Sequence, residues 1–255
     1  MSDAFDLWVL RRARGPNAET MPLLCLPYAG GGIAAFRGWE LIVGPLAEPW
    51  LIRLPGRESR AVEPGLTDLR AIAGHVAAAV APRLRGAFAL AGHSMGAVLA
   101  YELAHELNER YALTPHHLTV SARSAPHLPP RHPPVADLPD ERFLAALDER
   151  YGGLPAALRA DREFVRFILP TLRTDVTALE AYSAVSRPPL PCPIAVVGGR
   201  SDPTVTVDEL RAWRTHTTQK CDLRLVDGGH FYLNERREAL PEAIADELAR
   251  LAVAW

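Results

Sequence analysis

The sequence predicts an α/β fold with a mainly parallel central sheet, and three observations carry that reading. Short apolar runs alternate with longer amphipathic stretches, which is the order of βαβ units. At one junction the apolar run Ala87–Ala91 breaks at Gly92-His93-Ser94-Met95-Gly96, and a helical apolar pattern from Ala97 to Leu107 follows at once. After residue 124 the strands stop, a proline-rich stretch leads into helical segments, and the strand pattern resumes only at Pro193.

Taken in order, Asp6 to Arg12 contains Leu7-Trp8-Val9-Leu10 and predicts a first edge strand. Pro22–Pro27 is a stronger strand, ending in Tyr28-Ala29-Gly30-Gly31-Gly32. Ile33 to Leu46 reads as a helix with Phe36, Trp39, Ile42 and Val43 on one side. Trp50–Leu54 is a third strand, closed by Pro55-Gly56-Arg57. Leu66, Leu69, Ile72, Ala73, Val76, Val80 and Leu84 recur every three or four residues, as on an amphipathic helix. His117–Ser121 is another short strand.

Ser124 to Pro139 holds six prolines and reads as an extended linker. Three helical segments are predicted after it: one marked by Phe143, Leu144 and Leu147, one by Phe164, Val165, Phe167 and Ile168, and one opened by Pro170. Proline suits the first helical position. Leu172, Val176, Leu179 and Tyr182 then line one face, and Arg187-Pro188-Pro189-Leu190-Pro191 closes the block. The expected organisation is a core of residues 1–127 and 188–255 with a helical lid insertion at 128–187. A plainer alternative has the same apolar faces finishing the core. Beyond it come a strand at Pro193–Gly199, a helix at Asp208–Thr215, a last strand at Cys221–Val226 and a C-terminal helix carrying Ile244, Leu248 and Leu251.

Composition limits the class of function. The net charge of -2 gives no footprint for nucleic acid or an anionic membrane. Lys220 is the only lysine, and with so much alanine and proline this reads as base-composition bias. Cys25, Cys192 and Cys221 are too scattered for a disulfide framework or a zinc site. No run reaches the roughly 18 apolar residues of a membrane span. The acidic start, Met1–Asp6, lacks the pattern of a secretion signal, so a cytoplasmic location is expected.

The junction at Ser94 has the context of a nucleophile elbow: strand, tight Gly-x-Ser-x-Gly turn, helix. Glycines two residues either side admit the close backbone approach, and the helix start offers N–H groups to an anion. A serine needs a base, usually a histidine oriented by a carboxylate. Among nine histidines, His230 follows the last strand in a Gly-Gly loop, at the sheet edge where active sites of open α/β folds gather. His93 should point away from Ser94. Asp202 follows the strand ending at Gly199 and is the expected acid. Asp227 is the runner-up, and Asp175, Asp208 and Asp222 read as surface residues. The order Ser94, Asp202, His230 is that of α/β-hydrolases. Met95 and Ala29 are the expected oxyanion donors, and Gly30–Gly32 lack the Lys-Ser/Thr of a phosphate loop.

Pro27-Tyr28-Ala29-Gly30-Gly31, Phe36-Arg37-x-Trp39, Leu54-Pro55-Gly56-Arg57, Gly92–Gly96, Gly199-x-x-Asp202 and Gly228-Gly229-His230-Phe231-Tyr232-Leu233 together resemble the stand-alone type II thioesterases of polyketide and nonribosomal peptide assembly lines. Hydrolases of acyl carrier proteins tied to fatty-acid synthases are similar. The resemblance implies hydrolysis of aberrant or stalled acyl groups from the phosphopantetheine arm of an acyl or peptidyl carrier protein, with no metal or organic cofactor. It also implies a lid over an acyl chamber, with Phe143, Phe167, Leu172 and Val176 as expected walls. Arg123, Arg131 and Arg159 are candidates for docking an acidic carrier. A general esterase, lipase or acyltransferase uses the same chemistry, and a non-catalytic carrier-binding protein is the alternative of another class.

Overall fold

A computed structural model of the chain describes residues 3–11, 20–152 and 161–252. Its strands are β1 (Val9–Arg11), β2 (Met21–Leu26), β3 (Ala47–Ile52), β4 (Ala89–His93), β5 (His117–Ser121), β6 (Ile194–Gly199) and β7 (Cys221–Val226). They form one sheet in the order β1-β3-β2-β4-β5-β6-β7. Only β1 runs antiparallel to its neighbour. Because the rest are parallel, the loops after β2, β4, β5, β6 and β7 all open at the carboxyl edge, where ligand sites of such sheets lie.

Both faces are covered, which is why the central strands read as unbroken apolar runs rather than alternating ones. On one face pack α3 (Leu69–Val80) and α4 (Met95–Tyr111), through Ile72, Val76, Leu99 and Leu103. On the other lie Phe36, Trp39 and the helix Ala239–Ala252, through Ile244 and Leu248. Each such aliphatic side chain is worth roughly 1.5–3 kcal/mol of burial, which makes the sheet a firm base for its edge loops. Local signals set the boundaries. The Asp68 carboxylate caps α3 by accepting the N–H groups of Arg70 and Ala71.

Several elements differ from the sequence expectation for local reasons. The first segment begins as helix α1 (Ala4–Trp8), started by the Asp3 side chain, and only Val9–Arg11 is strand. The helix expected at 33–46 is broken into a 3-10 turn (Ile33–Phe36) and a short α2 (Trp39–Ile42), because Gly38 between them sits at φ +86°. After residue 152 the two helices expected on either side of Pro170 are one. Helix α5 (Asp140–Tyr151) is followed by a continuous α6 (Arg162–Glu180) with Pro170 inside it. Nothing in Phe164–Leu169 stops a helix. Pro170 and Arg166 are both exposed, so the carbonyl that loses its partner lies on the solvent side of the helix.

Candidate active site

Ser94 occupies the turn between β4 and α4 at φ +56°, ψ −114°, an unfavourable region for a residue with a side chain. The two flanking glycines are steric necessities. A Cβ on Gly92 would lie 1.9 Å from the Gly96 carbonyl oxygen, and one on Gly96 would lie 2.1 Å from that of Leu26. The Ser94 N–H donates to the Ser121 carbonyl at 2.8 Å, tying the turn to β5.

His230 and Asp202 arrive from the loops after β7 and β6. His230 Nε2 is 3.0 Å from Ser94 Oγ, and Nδ1 is 2.9 Å from Asp202 Oδ2. All three residues are at most 9% exposed. Burial alone would raise the Asp202 carboxyl, but hydrogen bonds from His230 and from the Thr204 hydroxyl and N–H outweigh it and hold it below the usual carboxylate range. A buried carboxylate in that state favours the tautomer with its proton on Nδ1, leaving Nε2 to accept from the serine. Asp227 is 76% exposed and pairs with Arg200 and Arg236 instead. Such a chain can deprotonate a serine as it attacks a carbonyl carbon.

Met95 is the first residue of α4, so its N–H has no acceptor within the helix. Ala29 lies in the loop after β2, and Ala29, Gly30, Ser94 and His230 line one cavity of about 390 Å³. Among the described residues no group of His, Cys, Asp and Glu could hold a metal ion, and no helix is long and apolar enough to cross a membrane.

Comparison with known proteins agrees with this geometry. The family model "Thioesterase domain" matches residues 21–248. The chain belongs to the thioesterase family. It is similar to the gramicidin S biosynthesis protein GrsT of Aneurinibacillus migulanus, at 37% identity over 93% of this chain and 92% of that one. It is also similar to thioesterase PikA5 of Streptomyces venezuelae, at 37% identity over 95% and 85%. Among solved structures it resembles BorB, a type II thioesterase of the borrelidin cluster, with a TM-score of 0.85 and 36% identity over 95% of this chain and 98% of that one. The chain is therefore a serine-type hydrolase of thioesters, of the type II group found with nonribosomal peptide and polyketide clusters, on an α/β-hydrolase fold.

The thioesterase's cavity is roofed by α5 and α6. Leu172, Val176, Phe164 and Ile168 line it. Phe143 and Phe167 do not. Phe143 is fully buried in a satellite cluster with Val135, Ala136 and Val176, under the Arg173 guanidinium at 4.2 Å from the ring centroid. Phe167 is 75% exposed. Residues 164, 168, 172 and 176 form one i, i+4 row of a single helix, and 167 falls off that row. Of the three arginines, Arg123 turns into the cavity wall, Arg131 also reaches the wall but pairs with Glu209 at 3.1 Å, and Arg159 lies outside the described residues.

Behind the thioesterase's serine, His93 is directed to Ser121, its Nδ1 2.9 Å from Ser121 Oγ, which in turn lies 2.7 Å from the Tyr232 hydroxyl. Burial, and then the neighbouring His230, hold His93 well below the ordinary imidazole range, so it is neutral.

Three residues at the site were not singled out from sequence. The Thr204 hydroxyl donates to Asp202 Oδ1 at 2.7 Å and lies 2.9 Å from His230 Nδ1. Its sequence signal is the Asp-Pro-Thr spacing, in which a carboxylate accepts an N–H two residues on. Tyr151, the last residue of α5, packs its ring on His230 at 4.7 Å. Asp175, expected at the surface, is 2% exposed and touches the Ala29 loop. Neither Tyr151 nor Asp175 carries a local signal.

Proposed function

We propose that this thioesterase removes acyl groups held as thioesters on the phosphopantetheine arm of a carrier protein, freeing arms blocked by aberrant or stalled intermediates. One observation carries the reading. The hydrogen-bonded series Ser94–His230–Asp202 opens into a cavity walled by apolar side chains of α5 and α6.

In this reading Ser94 Oγ attacks the thioester carbonyl while His230 Nε2 takes its proton. The N–H groups of Ala29 and Met95 receive the developing oxyanion. His230 then returns the proton to the departing pantetheine sulfur, and the acyl group stays on Ser94. Water activated by the same nitrogen hydrolyses the acyl-serine. Asp202 holds the imidazole in one tautomer throughout, with Thr204 fixing both partners. Residues 128–187 act as the lid, and Leu172, Val176, Phe164 and Ile168 receive the acyl chain. Reaction with a carrier-bound substrate places the enzyme in the cytoplasm with the assembly line. No part of the chemistry requires a metal or organic cofactor.

The test compares release of acid from acyl-loaded carrier proteins of increasing chain length with hydrolysis of matched oxygen esters. Preference for the carrier thioester is expected, with acyl-enzyme trapped on Ser94. Equal or better turnover of the oxygen ester would favour a general esterase. Ser94→Ala is expected to lose at least roughly 10⁴-fold in kcat with an unchanged melting temperature; near-normal turnover would remove the serine from the mechanism.

A further inference from the structure

Helix α6 does more than roof the cavity, because its inner face grips the loop that carries Ala29. The Asp175 carboxylate, 118 residues from Arg57 in sequence, accepts from both Nη groups of that arginine, Oδ1 from Nη2 at 2.6 Å and Oδ2 from Nη1 at 2.8 Å. Oδ2 also accepts the Gly30 N–H at 2.7 Å. Arg57 Nη1 donates to the Gly31 carbonyl at 2.7 Å as well. Both side chains are almost wholly buried, at 8% and 3% exposure. One ion pair therefore holds the loop by a donor and an acceptor of consecutive residues.

Two further contacts seat the helix on this region. The Thr171 hydroxyl donates to the Gly56 carbonyl at 2.7 Å, next to Arg57. Leu172 packs so closely on Gly30, at φ +73°, that a Cβ there would meet it at 2.9 Å. The loop needs such help. Gly30-Gly31-Gly32 has no side chains with which to fix itself, and glycine samples more backbone states than any other residue. An oxyanion donor works only if it is already aimed when charge develops. Burying an ion pair is an expensive way to attach a helix, and apolar side chains of similar volume often serve stability as well. A planar guanidinium gripping a carboxylate and a backbone carbonyl together fixes a geometry that apolar packing would not.

We propose that Arg57 and Asp175 are positioning residues for thioester hydrolysis, holding the Ala29–Gly31 loop so that the Ala29 N–H is aimed into the cavity only while α6 is seated. The proposal rests on Ala29 being an oxyanion donor. Neither residue touches the reacting atoms. Displacement of α6 removes the acceptor of the Gly30 N–H and the counter-charge of Arg57 in one movement. Opening the acyl cavity and disarming the oxyanion site are then the same event.

The test uses the double variant Arg57→Met/Asp175→Leu, which removes both charges and leaves neither uncompensated. Its substrate is a butyryl thioester of N-acetylcysteamine, and its second probe is the matching trifluoromethyl ketone, which adds to serine as a tetrahedral oxyanion. The expected result is a loss of about 10²-fold in kcat, the scale of one oxyanion donor, with KM within about threefold. Affinity for the ketone should fall by the same factor as kcat/KM, since both report the transition state. A purely structural role would lower the unfolding midpoint while the folded enzyme kept wild-type kcat and ketone affinity, and that result overturns the proposal.

If the double variant does not fold, Asp175→Asn supplies the same readouts. It keeps an acceptor for Gly30 but weakens the fork, so about a tenfold loss of kcat with a matching loss of ketone affinity is expected; unchanged values overturn the proposal. Ser94→Ala runs alongside. Hydrolysis surviving in Ser94→Ala would defeat the serine reading itself, whereas an inactive Ser94→Ala beside a fully active pair variant defeats only the clamp.

Discussion

The nucleophile corner and the helical roof over it are built on opposite principles. At the corner, backbone meets backbone: Gly92 and Gly96 pack on carbonyl groups, Ser94 hydrogen-bonds to β5, and β4 is buried from end to end. The roof is joined to its surroundings by side chains. Within it, Glu180 accepts the N–H groups of Val135 and Ala136 and Arg173 reaches the Leu138 carbonyl and the Asp140 carboxylate, while toward α4 the hydroxyl of Tyr182 and guanidinium of Arg187 both meet the buried Glu102. Exposed ion pairs contribute only about 0–1 kcal/mol each. The roof's placement thus depends on its buried contacts, the packing of Ala178, Leu179 and Tyr182 on the core and the polar groups Asp175 with Arg57 and Glu102 with Tyr182 and Arg187. A corner fixed by sterics can keep a strained serine in place, while the roof, held by side chains, contributes no strand to the sheet.

The sharpest break in that contrast is Gly96→Ala. Its methyl group would meet backbone of β2 and the residue after it, so we expect no soluble, cooperatively melting protein; a normal thermal transition would show that the corner is not sterically fixed. Asp202→Asn comes next, with kcat falling roughly 10³–10⁴-fold and folding retained, while Asp227→Asn at the exposed ion pair stays within about twofold. The reverse outcome in steady-state kinetics would exchange the acid.

Acid stability separates the regions by another property. His93, His105 and His117 lie in β4, α4 and β5, and burial is the first cause of depression in each, to about 4 for His105 and His117 and well below 6.5 for His93. Above pH 6.5 these rings are neutral whether the chain is folded or not. Between 6.5 and about 4 only the unfolded chain takes up the protons, so stability falls with pH, by up to about 1.4 kcal/mol per pH unit for each ring. Urea midpoints measured from pH 7 to 5 should fall accordingly, and His117→Gln should flatten the slope; a flat wild-type profile contradicts the assignment. The smallest effects belong to the apolar side chains of α6. Leu172→Ala should change the preferred acyl chain length, whereas Phe167→Ala, on the solvent side of α6, should leave the whole chain-length profile unchanged. An altered profile for Phe167→Ala would mean that this side chain turns inward when substrate binds.

Splitting α6 at Pro170 discards the helical phase that joins Phe164 and Ile168 to Leu172 and Val176, and without it Phe167 looks as apt for the cavity as Phe164. Phe143 is apolar like the residues that line the cavity, but the cavity side of α5 is carried by Leu144, Leu147 and Tyr151. The break at Gly38 was legible in principle, since a glycine inside a helical pattern is a stop signal.

The sequence by itself determined the strand–turn–helix at Ser94, the parallel α/β order, and the sheet edge at which Asp202 and His230 arrive. Those features follow from local rules: apolar periodicity, glycine at two-residue spacing, and strand ends followed by loops. Only the tertiary structure decided that Asp175 is a buried partner of Arg57 rather than a surface acid, that Tyr151 packs on His230, and which phenylalanines meet the cavity. An acid on an amphipathic helix looks the same in sequence whether it faces water or a guanidinium 118 residues away. Burial and pairing at that separation are set by how the helix packs, and no local pattern encodes it.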